Sequence, residues 1–199
     1  MADSGLTHQQ PAEPFVKRTA RRWFVALPII GEVTAHLNAM PPKLRPMVAN
    51  DLHITIAFFG AVNEAAAHAG FDATQLAFSA CVVSFGAIEA MGDGERWSAL
   101  AAQMPNDALA IALGDARTAA LQVAGARPET RAPRPHVTLA RLMRRAKAQD
   151  REAALAWAHA CNLDGVAARV DSLALYVSTD RARDDGGRYD IVARRALRD

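Results

Sequence analysis

The chain has 199 residues, of which 51% are hydrophobic and 22% are charged, and its net charge is +2. This balance is typical of an ordinary globular protein, and the charge is too small to indicate nucleic-acid binding by itself. No run approaches the roughly 18 apolar residues of a membrane span, and the polar N-terminus does not resemble a signal peptide. Two isolated cysteines outside any metal-ligand spacing favour buried thiols in a reducing compartment, so we expect a cytoplasmic protein.

The sequence predicts a tail at the start of the chain, followed by a strand, a helix and a second strand. Residues 1–19 mix polar, proline and charged residues without periodicity, which is typical of a flexible tail. A strand is predicted over 22–27, followed by a helix over 28–38, because proline suits the first turn of a helix. A proline-rich loop over 40–46 then leads to a strand over 52–59.

The middle of the chain predicts a short helix and two strands. The helix covers 63–76, and Asn63 is a suitable N-cap residue. Strands are predicted over 80–85 and 96–101, across a Gly-Asp-Gly turn at 92–94.

The longest helical pattern covers 106–124 and ends at a glycine. A basic, proline-rich loop over 127–135 then delivers the chain to a strand over 136–142. A third long helix is predicted over 147–160.

The chain ends with strands over 169–178 and 188–195, which a turn at 184–187 joins as a hairpin. A similar order of helices and strands occurs in both halves of the chain, which indicates a degenerate duplication. It predicts an α+β fold of two pseudo-symmetric lobes, each an antiparallel β-sheet backed by helices, with a groove between them. We expect a single bilobal domain over 20–199.

One short motif occurs in both halves, as His-Ile-Thr-Ile at 53–56 and His-Val-Thr-Leu at 136–139. Because side chains alternate along a strand, the histidine and threonine of each copy point to one face and the aliphatic residues to the other. If the two strands face one another, two imidazoles and two hydroxyls converge. This set suits a phosphodiester, since one histidine can take a proton, the other can give one, and hydroxyls can hold phosphoryl oxygens.

In its extended context, the repeated motif resembles that of the two-histidine (2H) phosphoesterases. Within them the chain is most similar to the RNA 2′,3′-cyclic phosphodiesterases, historically called 2′-5′ RNA ligases. The resemblance covers about 20–197, and it rests on the sequences RWFVALP at 22–28, LHITIAFFG at 52–60, PHVTLAR at 135–141, LALYVS at 173–178 and GRY at 187–189.

The resemblance implies hydrolysis of RNA 2′,3′-cyclic phosphate ends to 2′-phosphomonoesters without a metal or cofactor, with reversible 2′-5′ RNA ligation as a second reaction. It implies His53 as general acid and His136 as general base, although the sequence alone leaves this order open. Thr55 and Thr138 would donate hydrogen bonds to the non-bridging oxygens. The substrates would be RNA ends or cyclic nucleotides, and we expect a monomer.

The role of Arg141 stays open between a phosphate or groove contact and a structural ion pair. It matches a recurrent arginine of the family, but it stands three positions after Thr138 and therefore has the wrong parity for the histidine face unless the strand twists or ends. Arg131 and Arg134 could meet an RNA backbone or belong to a solvated loop. Four aromatic residues could stack on a base or pack in the core: Trp23, Phe24, Phe58 and Tyr176.

Other functions compete with this interpretation. The same site could act on 2′-5′ oligonucleotides, on another cyclic nucleotide or on ADP-ribose 1″,2″-cyclic phosphate. A non-catalytic binder of RNA ends is a second class, which loss of either histidine would favour. A metal site built on His53 and His136 is a third, but no Asp, Glu or Cys accompanies them at ligand spacing.

Overall fold

The computed structural model describes residues 20–92, 94–179 and 186–198, without the side chain of Glu95. The predicted tail at 1–19 lies outside the described residues, as do parts of the two predicted turns at 92–94 and 184–187. The strands are β1 (Trp23–Pro28), β2 (Leu44–Pro46), β3 (His53–Gly60), β4 (Cys81–Ser84), β5 (Ile88–Met91), β6 (Ala99–Gln103), β7 (His136–Leu142), β8 (Ala167–Val170), β9 (Ser172–Ser178) and β10 (Tyr189–Ala196). The α-helices are α1 (Glu64–Ala73), α2 (Asp107–Val123) and α3 (Ala148–Ala160), and short 3₁₀ helices cover Val33–His36, Ala49–Asp51 and Gly94–Arg96.

Most strands form one antiparallel sheet in the order β10-β9-β1-β3-β7-β6-β5, with β2 also paired to β7. The α+β class is therefore confirmed. The two motif strands, β3 and β7, are neighbours at the centre, where Ile54 pairs with Val137. The sheet is thus continuous from one half of the repeat to the other, and the division into two lobes stays a prediction.

The two faces of this sheet differ in what covers them. The aliphatic residues of both motifs, Ile54, Ile56, Val137 and Leu139, are buried in the main core. Side chains from α1, α2 and α3 belong to the same core cluster, so the helices cover this face. The opposite face, which we call the histidine face, carries a small buried cluster of Phe24, Ala26, Ala174 and Tyr176. The helices therefore support the motif strands from behind and leave their histidine face accessible.

The helices begin where the sequence predicts. The Asn63 side chain accepts a hydrogen bond of 2.8 Å from the Ala66 amide, and Asn106 caps α2 through the Leu109 amide at 3.0 Å. Each cap satisfies an amide at the helix N-terminus that has no partner within the helix.

The predicted helix over 28–38 is wrong. Pro28 instead ends β1 as the strand partner of His53, and Ile30 forms a β-bridge with Arg169. Only the short 3₁₀ turn Val33–His36 is helical. The segment is rich in β-branched residues and contains Gly31, a composition that disfavours an α-helix, and extended backbone pairing replaces it.

The two strands predicted on either side of the turn at 92–94 are not partners of each other. β6 pairs with β5, a strand that the sequence did not indicate, whereas β4 pairs with β8 in a separate two-stranded sheet. The predicted strand over 169–178 is two strands in the structure. The chain leaves β8, in the small sheet, at Asp171 and enters β9, in the main sheet. Strand pairing depends on contacts distant in sequence, so local patterns indicated strands but not their partners.

Candidate active site

The register of β3 and β7 brings both motif histidines and both motif threonines to the same part of the histidine face. Ile54 pairs with Val137 in antiparallel orientation. Side chains alternate from that pair, so His53 lies opposite Thr138 and Thr55 lies opposite His136. All four residues are half-buried. The arrangement has an approximate twofold symmetry in which each histidine lies opposite the threonine of the other motif.

Both histidines are held in the same way by the backbone. Nδ1 of His53 contacts the carbonyl oxygen of Asp51 at 2.7 Å, and Nδ1 of His136 contacts that of Arg134 at 2.7 Å. A carbonyl oxygen only accepts, so Nδ1 is the donor in each contact. In a neutral imidazole, Nε2 then carries no hydrogen and can take one. Each ring is thus fixed in the orientation and tautomer that proton transfer at Nε2 requires.

A β-bulge in β7 places Arg141 on the histidine face. Ala101 pairs with Thr138 but Leu100 pairs with Ala140, so Leu139 is an extra residue in the strand. Leu139 and Ala140 are consequently both buried in the core. The alternation restarts after the bulge and turns Arg141 toward the histidines, which agrees with the effect of its charge on His53. The bulge therefore removes the parity conflict that left the role of Arg141 open.

The first motif contains the same irregularity, and it exposes Phe58. Ala26 pairs with Thr55 and Val25 with Ala57, which makes Ile56 the extra residue of β3. Phe58 stands five positions after His53, as Arg141 does after His136. Its side chain is 53% exposed on the histidine face. The repeat thus places an aromatic ring on one side of the histidine pair and a guanidinium on the other.

His53 is surrounded by aromatic rings. Phe24 stacks in parallel on Tyr176, with ring centroids 4.9 Å apart and 4° between planes, and also lies 4.9 Å from the imidazole of His53. Tyr189 contacts the same imidazole edge to face at 5.5 Å. Phe24, Tyr176 and also Trp23 are buried, so they pack in the core, and only Phe58 of the four candidate stacking residues is open to a base.

The surroundings of His53 favour its neutral form. Burial lowers the pKa of His53 to about 4, with smaller contributions from the positive charges of Arg141 and His136. The hydrogen bond to the Asp51 carbonyl opposes this shift, since it favours the protonated ring. In the free protein, His53 is therefore uncharged at neutral pH and can accept a proton.

The low pKa of His53 has a measurable consequence for stability. In the unfolded chain its pKa returns to 6.5, so between pH 6.5 and about 4 the unfolded chain binds more protons. The contribution of neutral His53 to the free energy of unfolding is therefore complete above pH 6.5. It is lost as the pH falls toward 4, by about 3 kcal/mol in total. We expect His53→Gln to reduce the loss of unfolding free energy between pH 7 and pH 4 by this amount in urea titrations.

The matched control for this measurement is His36→Gln, because His36 is exposed on a 3₁₀ helix. This variant should keep the pH dependence of the wild-type protein. Equal pH dependence of stability in His53→Gln and the wild-type protein would show that His53 titrates normally.

Asp51 is a site residue that the sequence did not indicate. Its backbone carbonyl orients His53, and its side chain is only 2% exposed. One carboxylate oxygen accepts a hydrogen bond of 2.7 Å from the backbone amide of Arg188, at the entry to β10. Asp51 therefore ties β10, and with it Tyr189, to the segment that holds His53. The sequence signal for Asp51 was its position two residues before His53. Arg134 takes the same position before His136.

The two loop arginines considered as RNA contacts are engaged in ion pairs. Arg134 contacts Glu89 at 3.0 Å and the Gln103 amide oxygen at 3.4 Å. Arg131 pairs with Glu129 at 2.8 Å, and its hydrogen bonds to that carboxylate lower the pKa of Glu129 to about 2. The carbonyl that orients His136 thus belongs to a residue whose side chain makes an ion pair.

The described ranges contain neither a metal-binding cluster nor a membrane-spanning helix. No group of three or more His, Cys, Asp or Glu side chains there could hold a metal ion. None of the described helices has the length and apolar character needed to cross a membrane.

Cys81 and Cys161 are free and half-buried, whereas the sequence predicted buried thiols.

The sequence matches the 2′-5′ RNA ligase superfamily over residues 11–182. The chain belongs to this superfamily. The match includes both motif strands and ends before β10. Comparison with curated proteins gave no match.

Several solved structures have the same fold as this protein. Escherichia coli LigT in complex with 3′-AMP is 24% identical, with a TM-score of 0.63 over 89% of this chain and 98% of that one. LigT in complex with NADP⁺ is 21% identical, with a TM-score of 0.61 over 90% and 99%. TT0787 of Thermus thermophilus is 19% identical, with a TM-score of 0.61 over 89% and 98%. At these identities the likeness establishes the fold.

Proposed function

We propose that this protein hydrolyses the 2′,3′-cyclic phosphate at RNA ends to a 2′-phosphomonoester, without a metal ion. The observation that carries the proposal is the pair of histidines on one sheet face, each with Nδ1 bonded to a carbonyl and Nε2 left for proton transfer. Two such groups are what hydrolysis of a phosphodiester needs, since a proton must leave water and another must reach the departing alkoxide.

The proposed reaction uses the four motif residues in defined roles. One imidazole takes a proton from water as its oxygen attacks phosphorus, and the bond from phosphorus to the 3′ oxygen breaks. The second histidine, in its protonated form, gives its proton to that oxygen. Thr55 and Thr138 donate hydrogen bonds to the non-bridging oxygens, where negative charge develops in the transition state. Arg141 adds a positive charge on the same face.

The order of the two histidines is part of the proposal. The family resemblance implies His53 as acid and His136 as base, but a pKa near 4 leaves His53 neutral in the free protein. A neutral imidazole is suited to act as the base. For His53 to act as the acid, the negative charge of a bound phosphodiester must first raise its pKa.

A nucleotide substrate agrees with the surroundings of the histidine pair. Phe58 offers an exposed aromatic face beside it, and base–aromatic stacking contributes about 1–3 kcal/mol per base in single-stranded nucleic-acid complexes. The nucleotide complexes of LigT, with 3′-AMP and NADP⁺, support the same substrate class for this chain.

The proposal is tested by incubating the purified protein, with and without EDTA, with 2′,3′-cyclic AMP and with an RNA oligonucleotide that ends in a cyclic phosphate. We expect turnover of the cyclic ends at a rate that EDTA does not change. Loss of turnover in EDTA, restored by a divalent metal, would contradict the metal-independent mechanism. Cleavage of a 2′-5′-linked oligonucleotide without action on either cyclic substrate would replace the proposed substrate and keep the two-histidine site.

A further inference from the structure

A large cleft lies beside His53, on the side of β10. Its volume is about 700 Å³. We call it the β10 cleft, and its lining residues are Pro28, Ile29, Ile30, Gly31, Ala49, Asn50, Leu52, Tyr189, Asp190, Ile191 and Arg194. The part contributed by β10 lies after residue 182, where the superfamily match ends.

The β10 cleft is continuous with the proposed catalytic site. Tyr189 lines the cleft and its ring contacts the imidazole of His53 at 5.5 Å. Pro28, another lining residue, is the strand partner of His53. On β10, Ile191 pairs with Tyr176 and Arg194 pairs with Ala174, two residues of the histidine face. A ligand held at His53 can therefore extend into the cleft without leaving this face of the sheet.

The chemistry of the β10 cleft combines apolar surface with one cation. Ile30 is 44% exposed and Ile191 is 36% exposed. Arg194 is exposed as well and makes no ion pair within the described ranges. Asp190 also borders the cleft, but strand alternation directs its side chain to the other face of the sheet. An apolar surface beside an available guanidinium is suited to a base and a phosphate of single-stranded RNA.

The position of Arg194 fits the phosphate that precedes the reacting one, on the 5′ side of the terminal nucleotide. β10 is separated from β3 by β9 and β1, which puts the two backbones about 14 Å apart at a strand spacing of about 4.8 Å. The side chain of Arg194 lies on the histidine face, and its charge reaches the phenol of Tyr176, where it opposes the effect of burial on the pKa of Tyr176. The ring of Tyr176 lies 5.1 Å from the imidazole of His53. The guanidinium can thus reach a group about one nucleotide away from His53.

We propose that the β10 cleft binds the nucleotide that precedes the cyclic end of an RNA, with Arg194 contacting the phosphate between the two nucleotides and Ile30 and Ile191 contacting the base. The inference rests on the proposed function and narrows it, because it makes an oligonucleotide a better substrate than a cyclic mononucleotide. Arginine suits the phosphate contact, since its planar fork can donate two hydrogen bonds.

The test compares kcat/KM for a dinucleotide that ends in a 2′,3′-cyclic phosphate with kcat/KM for the cyclic mononucleotide of the same terminal base. We expect the wild-type protein to prefer the dinucleotide, and Arg194→Ala to lower the ratio of the two values about tenfold, as for loss of one charge-assisted contact. Arg194→Lys should keep part of the preference. Arg127→Ala, which removes an exposed arginine after α2, is the matched control and should keep the wild-type ratio.

A ratio near one in the wild-type protein, or an unchanged ratio in Arg194→Ala, would overturn the inference. In either case, turnover of the cyclic mononucleotide would show that the proposed function still holds. If neither substrate is turned over, the proposed function fails first. Isothermal titration with the two 2′-phosphorylated products then tests the cleft separately, because Arg194→Ala should weaken binding of the dinucleotide more than that of the mononucleotide, and equal weakening would overturn the inference.

Discussion

Replacement of either His53 or His136 with alanine is expected to reduce kcat on a 2′,3′-cyclic phosphate by about 10²–10⁴-fold, the usual range for positioned proton transfer. The two imidazoles lie on one face of adjacent strands, and each has its Nδ1 bonded to a carbonyl two residues earlier in the chain. Because they act in one reaction, the double variant should lose less than the product of the two single losses. Steady-state kinetics on purified variants gives these values directly.

The control for the histidine variants is His159→Ala, which removes an exposed histidine at the end of α3 and should keep wild-type turnover. Circular dichroism must show that each variant is folded. Turnover within a few-fold of the wild-type value in His53→Ala or His136→Ala would contradict the two-histidine mechanism.

The same variants identify the acid and the base. A cyclic substrate in which sulfur replaces the 3′ oxygen needs no acid, because a thiolate leaves without protonation. On this substrate the variant that lacks the acid should regain much of its turnover, whereas the variant that lacks the base should not. The low pKa of His53 favours recovery in His136→Ala, and the family resemblance favours recovery in His53→Ala.

Replacement of Thr55 or Thr138 with valine is expected to reduce kcat about 10²-fold, as for removal of one donor that stabilises charge in the transition state. Valine has nearly the shape of threonine and suits a strand equally well, so the change removes the hydroxyl and leaves the sheet intact. Each threonine lies opposite the histidine of the other motif, so the two variants should be impaired to a similar extent. The effect should fall on kcat more than on KM.

Serine provides the matched comparison at each of these positions, since Thr55→Ser and Thr138→Ser keep the hydroxyl and should retain much more turnover than the valine variants. Thr118→Val is a control in the exposed part of α2, where the hydroxyl donates to the Gly114 carbonyl. Equal turnover in the serine and valine variants would mean that the hydroxyls do not contact the phosphoryl group.

The motif strands could be predicted from the sequence because their signals are local. The predicted strand over 136–142 coincides with β7, and the alternation of polar and aliphatic residues indicated both the histidine face and the buried face. The pairing of β4 with β8 and of β5 with β6 could not be predicted, since it depends on segments distant in sequence. The sequence also predicted a helix after Pro28, where Pro28 and Ile30 instead pair as extended backbone with His53 and Arg169.

Within the site, the residue types could be predicted from the sequence. The β-bulges that orient their side chains could not. Strict alternation turns Arg141 away from the histidines, and the bulge at Leu139 reverses this. A bulge leaves little mark on composition, but here it occurs at the same position in both motifs, and the shared Ala57 and Ala140 directly after it are its only visible trace. Asp51 was also missed, because a charged residue is ordinarily exposed and its burial depends on β10.

The most direct test of the proposed reaction is ³¹P nuclear magnetic resonance of the phosphorus product formed from 2′,3′-cyclic AMP in the presence of EDTA. Breakage of the bond from phosphorus to the 3′ oxygen by the two-histidine site predicts 2′-AMP as the product with the wild-type protein, and essentially none with the variant that lacks both His53 and His136. Formation of 3′-AMP, or formation of 2′-AMP by that double variant, would contradict it.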